Sequence, residues 1–331
     1  MDVFSLTRRL VDIESTTGNE GPVGDFLFAE LNQLGYQAQR MPVEGARANI
    51  FATLNEEPHP AVVFSTHMDT VPPYFASSED GHCIRGRGSC DAKGIIAAQI
   101  AAAERLRGEK IRTGLLFVVG EERDSLGAAK ANETPCGSKF LINGEPTENR
   151  VALASKGSLR VEVNARGKMA HSAYPELGES AIDKLIEALH RLRAMPLPAD
   201  AEIGASTMNI GIIEGGRATN VIPDAAKAQL LYRLVGPSKN LRQRIVETVG
   251  GLADVEFVLD IPFQRFRKLD GLPTMIAAFT TDIPRLSNWG EPILFGPGSI
   301  NVAHTNDEHI EKKQLIEAVD IYCVLAKQLT A

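Results

Sequence analysis

The run Ala61-Val62-Val63-Phe64-Ser65-Thr66, followed at once by His67-Met68-Asp69, decides how this chain is read. A short apolar run that ends on polar groups reads as a buried β-strand. In an open α/β sheet, ligands collect in the crevice beyond the carboxyl ends of the strands, so His67 and Asp69 stand where a site would form. Working outward, Gly114-Leu115-Leu116-Phe117-Val118-Val119 is a second such run, followed by Glu121 and Glu122. Between the two lies an alanine-rich stretch, Lys93 to Arg107, with the periodicity of a helix. Asp91 precedes that helix in the glycine-rich stretch from Gly86 to Gly94, and Glu145 follows a third run, Lys139-Phe140-Leu141-Ile142. The alternation predicts βαβ architecture with a mostly parallel sheet. Upstream, Val3, Leu6, Leu10 and Ile13, then Val23, Phe26, Leu27, Leu31 and Leu34, recur at helical spacing.

From about residue 156 the pattern changes to strand-like stretches at 158–167, 206–216, 226–234 and 255–260, with helices near 178–195 and 238–250. Four strands and two helices punctuated by Gly and Pro predict an inserted α+β domain over 156–263. The remainder, 1–155 and 264–331, then forms one discontinuous domain. Its returning segment carries the strand and glycine turn Glu291 to Ser299, then His304, and an amphipathic helix over 310–329.

Composition narrows the function classes. The 331 residues are 44% apolar with a net charge of −7, and no Lys/Arg-dense stretch is present to neutralise phosphates, which argues against a nucleic-acid partner. No run approaches the roughly 20 apolar residues that span a bilayer. The first fifteen residues suit an amphipathic helix better than a cleavable signal, so a cytoplasmic location is expected. Cys83, Cys90, Cys136 and Cys323 are too few and too irregularly spaced for a disulfide framework or a paired CxxC site, and read as free thiols.

Each candidate has an ordinary explanation beside the functional one. At His67-Met68-Asp69 the carboxylate can orient the imidazole for a metal, or the pair can be a strand-end histidine and a capping aspartate. Asp91 can bridge two ions through its two oxygens, or simply cap the helix it precedes. Glu121 and Glu122 point in different directions from a strand end, so one can bind metal while the other acts as general base. The pair Glu56-Glu57 before Pro58 shows that two glutamates alone mean little. Glu145, ahead of Pro146, is otherwise a turn residue.

Together these segments resemble the M20 metallopeptidase and deacylase family, which includes acetylornithine deacetylase, succinyl-diaminopimelate desuccinylase and carboxypeptidase G. The resemblance runs through Ser65 to Pro72, Gly86 to Gly94, Gly120-Glu121-Glu122, Gly144-Glu145-Pro146-Thr147 and Ala303-His304-Thr305-Asn306-Asp307-Glu308. It implies a zinc-hydrolase-type α/β catalytic domain with helices on both faces of its sheet, plus an inserted lid or dimerisation domain. It further implies two divalent ions, zinc with cobalt as a substitute, bridged by Asp91. His67 and Glu145 would complete one ion's ligands, and Glu122 and His304 the other's. Asp69 would stand behind His67, and Glu121 would be the general base.

The stretch from Gly167 to Pro175 resembles the family's second signature, whose histidine, here His171, stabilises the tetrahedral oxyanion in the partner's active site in dimeric relatives. Its ordinary reading is a turn histidine. Asn220 and Arg217, within Gly215 to Pro223, match a substrate-approaching segment. Arg233 matches an arginine that holds a substrate carboxylate, a role a guanidinium fork suits, and Gly298 and Ser299 match cleft-lining positions. His59, His82, His190 and His309 match no motif. The stretch between the inserted domain and Gly296 is shorter than the resemblance leads one to expect, which suggests a missing or trimmed element in the returning segment that bears on lid contacts and substrate fit.

The resemblance therefore implies a hydrolase that removes an N-acyl group from an amino acid, with acetylornithine deacetylase leading because the stretches His67 to Pro72, Gly144 to Thr147 and Phe295 to Ser299 are most similar to it. The runner-up is a dipeptidase or carboxypeptidase with the same site. Its partners would be a small N-acyl amino acid or short peptide and a second copy, joined through an exposed strand edge of the inserted domain. A metal-bound but inactive binding protein is the alternative from another class, and retention of Glu121 argues against it. A dinucleotide enzyme is excluded by the absence of a GxGxxG after the early strand.

Overall fold

A computed structural model describes residues 2–331. One unit comprises the chain up to Leu153, Phe266–Met275 and Thr281–Ala331; the other comprises Ala154–Arg265 and Ile276–Thr280. The returning segment thus differs from the single block expected over 264–331. Ile276–Thr280 stays with the second unit because Lys156 N–H donates to the Ala277 carbonyl (2.9 Å) and Ser155 Oγ to the Phe279 carbonyl (2.6 Å).

In the first unit, β1 (Gln37–Glu44), β2 (Arg47–Thr53), β3 (Val62–His67), β4 (Thr113–Val118), β5 (Phe140–Asn143) and β12 (Glu291–Leu294) form one sheet in the order β1-β2-β4-β3-β5-β12. The four strands β4, β3, β5 and β12 run parallel, while β1 and β2 add an antiparallel edge. Every residue of β3 and β4 is buried, as expected where helices cover both faces of a parallel sheet. One face carries α1 (Val3–Val11), α2 (Gly21–Gln33), α3 (Lys93–Gly108) and α7 (Lys312–Thr330), packed on Phe64, Leu115 and Phe117. The other is thinner, with α4 (Leu126–Ala131) and Trp289 closing over Val63, Leu116 and Leu141. Truncating a core side chain such as Phe64 to alanine would cost about 3–5 kcal/mol, the usual cost of a buried aromatic.

The helical spacing of α3 buries nearly its whole length, so it sits behind β3 and brings its first turn to the crevice. Gly94 is required there: a Cβ would strike the Ser89 carbonyl, so only glycine lets the helix close on the loop that carries Asp91.

The second unit is built on an antiparallel sheet of β6 (Gly157–Arg166), β8 (Thr207–Gly215), β10 (Ala225–Leu234) and β11 (Asp254–Ile261), in the order β8-β10-β6-β11. Burial alternates along β6 and β10, and the inward residues Leu159, Val161, Val163, Leu230 and Tyr232 pack on α5 (Ala181–Ala194) and α6 (Ser238–Val249). Ser180 caps α5 by accepting the Asp183 N–H at 3.1 Å. A short ladder of β7 (Ala170–His171) and β9 (Val221–Ile222) stands apart from that sheet. β8 is an edge strand, with Ile212 and Ile213 exposed.

Candidate metal centre

His67 is the last residue of β3 and is buried. Its Nδ1–H donates to the Asp69 carbonyl at 2.9 Å, which turns Nε2 towards Asp91 Oδ1, also 2.9 Å away. Asp91 does not cap α3: the N-cap residue is Ala92, with no side-chain cap bond. Its second oxygen instead lies 3.4 Å from His304 Nε2, and that nitrogen is 2.9 Å from Glu122 Oε1. His67, Asp91, His304 and Glu122 therefore meet in a continuous string, although they come from four separate segments. Donor atoms of His67, Asp91 and Glu122 all lie within 4.8 Å of one another. Glu145 is buried and its Oε1 has no hydrogen-bond partner.

The electrostatics follow from that crowding. Burial pushes the Glu121 carboxyl well above its ordinary range, and does the same to Glu145 with help from the Glu121 charge. Burial also raises Glu122, although His304 beside it pulls the other way. Burial opposes charge on His67, yet the Asp69 and Asp91 carboxylates hold its pKa well above the usual imidazole value. His304 is raised to about 10 by Asp91 and Glu122. Asp91 is lowered despite burial, because His304 and His67 flank it. More carboxylates than imidazoles thus converge in a buried space, and an uncompensated buried charge is costly. Nitrogen and oxygen donors with one unsatisfied carboxylate oxygen suit divalent cations, so these residues fit a metal. His304 has φ +63°, a left-handed conformation that costs a non-glycine residue about 1–3 kcal/mol and clusters at functional sites.

Residues 153–253 match the family model described as the peptidase dimerisation domain of M20. A "Peptidase M20 domain-containing protein" of Schizosaccharomyces pombe is 40% identical over 334 residues, spanning 97% of this chain and 83% of that protein. The chain belongs to the M20 peptidase family. A "Probable carboxypeptidase" of Talaromyces marneffei is 36% identical, over 97% of this chain and 84% of its own length. The aminopeptidase PepT of Bacillus cereus shares the fold, with a TM-score of 0.83, 21% identity and coverage of 99% and 98%. This M20 member is accordingly a metal-dependent hydrolase acting on amide bonds.

Within this M20 site, Asp69 stands beside His67 and also holds the turn that follows β4. Its carboxylate is 3.6 Å from His67 Nδ1, too far for a hydrogen bond, and the backbone carbonyl orients the ring instead. The two carboxylate oxygens accept the N–H groups of Glu121 (3.1 Å) and Glu122 (3.2 Å), with Thr17 Oγ1 also donating at 2.8 Å. Asp69 thereby shapes the turn that presents both glutamates. Gly298 (φ +86°) and Ser299 serve the other flank: Ser299 Oγ donates to Glu148 at 2.8 Å, and Glu148 N–H to the Gly298 carbonyl at 2.8 Å, which braces the loop after Glu145.

In the second unit, His171 is exposed and its Nδ1 accepts the Ala173 N–H at 3.1 Å, so the neutral ring carries its proton on Nε2 as a free donor. It pairs with Val221 in the β7–β9 ladder, and the neighbouring Asn220 carbonyl accepts the Ser172 N–H at 3.0 Å. Arg217 is already engaged, its fork on Asp224 at 3.0 and 3.1 Å. Arg233 is half-buried with no ion pair among the described residues.

Several residues had no role in the sequence reading. Asp282 is buried, with one oxygen unpartnered and a pKa pushed up to about 7 by burial. Lys93 is fully buried, its Nζ donating to the Ile13 carbonyl at 2.5 Å. Glu308 and Arg87 form a buried ion pair. Arg87 lies between glycines four residues before Asp91, and Glu308 four after His304, so opposite charges beside two candidate ligands were the available signal.

Proposed function

We propose that this M20 hydrolase cleaves amides whose amine half is an α-amino carboxylate, releasing the C-terminal residue of a dipeptide or short peptide. The observation that carries this is the string His67–Asp91–His304–Glu122 in the first unit, with the buried Glu145 oxygen left unpartnered. Relatives 34–37% identical, of whose own length the alignments cover 84–88%, bear the name probable carboxypeptidase, which favours this class of substrate. An N-acyl amino acid presents the same carbonyl, nitrogen and carboxylate, so the acetylornithine-deacetylase-like reaction is the second reading, favoured by the motif resemblance.

In this reading His67 and Glu145 would hold one divalent ion and Glu122 and His304 a second, with Asp91 available to both, zinc being the leading ion and cobalt a substitute. Such ions supply Lewis acidity and lower the pKa of water held in the site. Glu121 accepts the proton of the attacking water as the water oxygen adds to the amide carbon. It then returns that proton to the nitrogen as the C–N bond breaks. His171 Nε2–H is the donor to the tetrahedral oxyanion, and Arg233 pairs with the substrate carboxylate. A homodimer formed through the second unit and a cytoplasmic location complete the proposal, the latter suited to four unpaired cysteines.

The test is amine release by zinc- or cobalt-loaded protein from dipeptides, N-acetyl and N-succinyl amino acids, and dipeptides with an amidated C-terminus. Turnover of free-carboxylate dipeptides with loss on amidation supports the first reading. Preference for N-acyl amino acids moves the enzyme to the second, and equal turnover of amidated peptides removes the carboxylate requirement.

A further inference from the structure

Glu308 makes more contacts to the loop that carries Asp91 than any other side chain described for that loop. Its Oε1 accepts the backbone N–H groups of Gly88 (2.9 Å), Cys90 (3.2 Å) and Asp91 (3.1 Å), and its Oε2 accepts from Arg87 Nη1 at 2.5 Å. Its own carbonyl accepts the Gly86 N–H at 3.1 Å, so five bonds tie residues 86–91 to a single residue. Both Glu308 and Arg87 are 1% exposed. Arg87 is held in turn by the Pro73 carbonyl, 3.1 Å from its Nε. Glu308 belongs to the same turn as His304, four residues away.

We propose that Glu308 is a positioning residue that locks the Asp91 loop to the His304 turn, so that the two candidate ligands approach a metal as one preformed unit. The inference rests on the proposed ligand roles of Asp91 and His304. Three converging N–H donors on one carboxylate oxygen fix the peptide that precedes the Asp91 side chain, and Arg87 Nη1 on the other oxygen orients that carboxylate. Without it, the 86–91 backbone would lose its shared acceptor and the 3.4 Å approach of Asp91 to His304 would no longer be enforced. Groups that orient metal ligands typically change metal affinity about 10- to 100-fold when removed.

The experiment is a two-site cobalt titration of metal-free protein, followed by calorimetry and the visible absorption of bound Co2+, for wild type, E308A, E308Q and D91N. In E308A the site containing His304 is expected to weaken about 10- to 100-fold with an altered cobalt spectrum. E308Q keeps one oxygen for the three N–H groups and is expected to lose less, about 3- to 10-fold, which a merely space-filling role would not grade in this way. If E308A does not fold, E308Q alone decides. Wild-type affinities and an unchanged spectrum in a folded variant overturn the proposal. D91N separates the underlying reading: if it still binds two ions with wild-type affinity, the ligand assignment fails whatever Glu308 does, whereas metal loss in D91N alone leaves that assignment standing and removes Glu308 from it.

Discussion

Beyond the carboxyl ends of β3 and β4, the buried His67 and Asp91 and the half-buried Glu122 are linked, the latter two through the exposed His304, by 2.9–3.4 Å contacts, while at the β7–β9 ladder His171 and Asn220 face solvent with only local backbone for support. The first arrangement is preorganised by its neighbours: Asp69 sets the Glu121–Glu122 turn, Ser299 braces the loop after Glu145 and Glu308 gathers the Asp91 loop. The second is a small exposed ladder whose histidine keeps a free N–H. Groups tied to neighbours from several segments fix geometry and resist change, whereas an exposed donor acts only on what is brought to it.

The sharpest way to break this contrast is at Glu121. E121Q keeps the shape and removes the base, so turnover is expected to fall on the order of 10²–10⁴-fold while metal content stays at wild type. Metal analysis alongside turnover decides it, since near-normal rates would place the base elsewhere. H171A should lower kcat on the order of 10²–10³-fold without disturbing the buried cluster, and loss of metal in that variant would erase the distinction between the two regions.

Asp69 tests whether the turn beneath Glu121 and Glu122 matters as much as the ligands. D69A is expected to lower metal affinity about 10- to 100-fold even though its carboxylate reaches no imidazole nitrogen. Affinity equal to wild type would return Asp69 to a passive role.

Asp282 gives a pH signature of the buried side. Its folded pKa of about 7 lies above the ordinary 3.8, so it favours the fold below the unfolded value and that contribution is lost as pH rises through 7. Metal-free wild type should therefore lose thermal stability between pH 5 and 8 more steeply than D282N, and the variant should melt higher at pH 8. Parallel curves for the two would show that its burial carries no such penalty. The smallest effect is expected at Arg217, whose exposed fork is paired with Asp224: R217A should shift stability by less than about 1 kcal/mol and leave KM unchanged. A large rise in KM would show that the pair opens to take substrate.

How much of this was legible beforehand differs by element. β3, α3 and β4 are readable because strands buried on both faces are continuous apolar runs and α3 is apolar nearly all round. The candidate ligands stand out because each follows such a run or lies beside the helix that follows one. Asp91 as a helix cap was equally reasonable until the structure put the N-cap at Ala92 and turned the carboxylate to His67 and His304. Asp69 was read through its carboxylate because a two-residue spacing does not reveal whether side chain or carbonyl reaches the ring. Asp282 was invisible, since one aspartate in a loop is ordinary until burial leaves an oxygen without a partner.

Sequence alone determined the two kinds of folding pattern, the alternating strand and helix runs of the first unit and the period-two strands of the second, because periodicity is local. It also brought the family resemblance and the candidate ligands with their residue types. Only the tertiary structure decided that Ile276–Thr280 belongs with the second unit, that Asp69 holds the Glu121–Glu122 turn as well as standing beside the His67 imidazole, and that Glu308 spans two loops more than 200 positions apart. Those are contacts between segments distant in the chain, and hydrogen-bond geometry of that kind leaves no periodic trace in the order of residues.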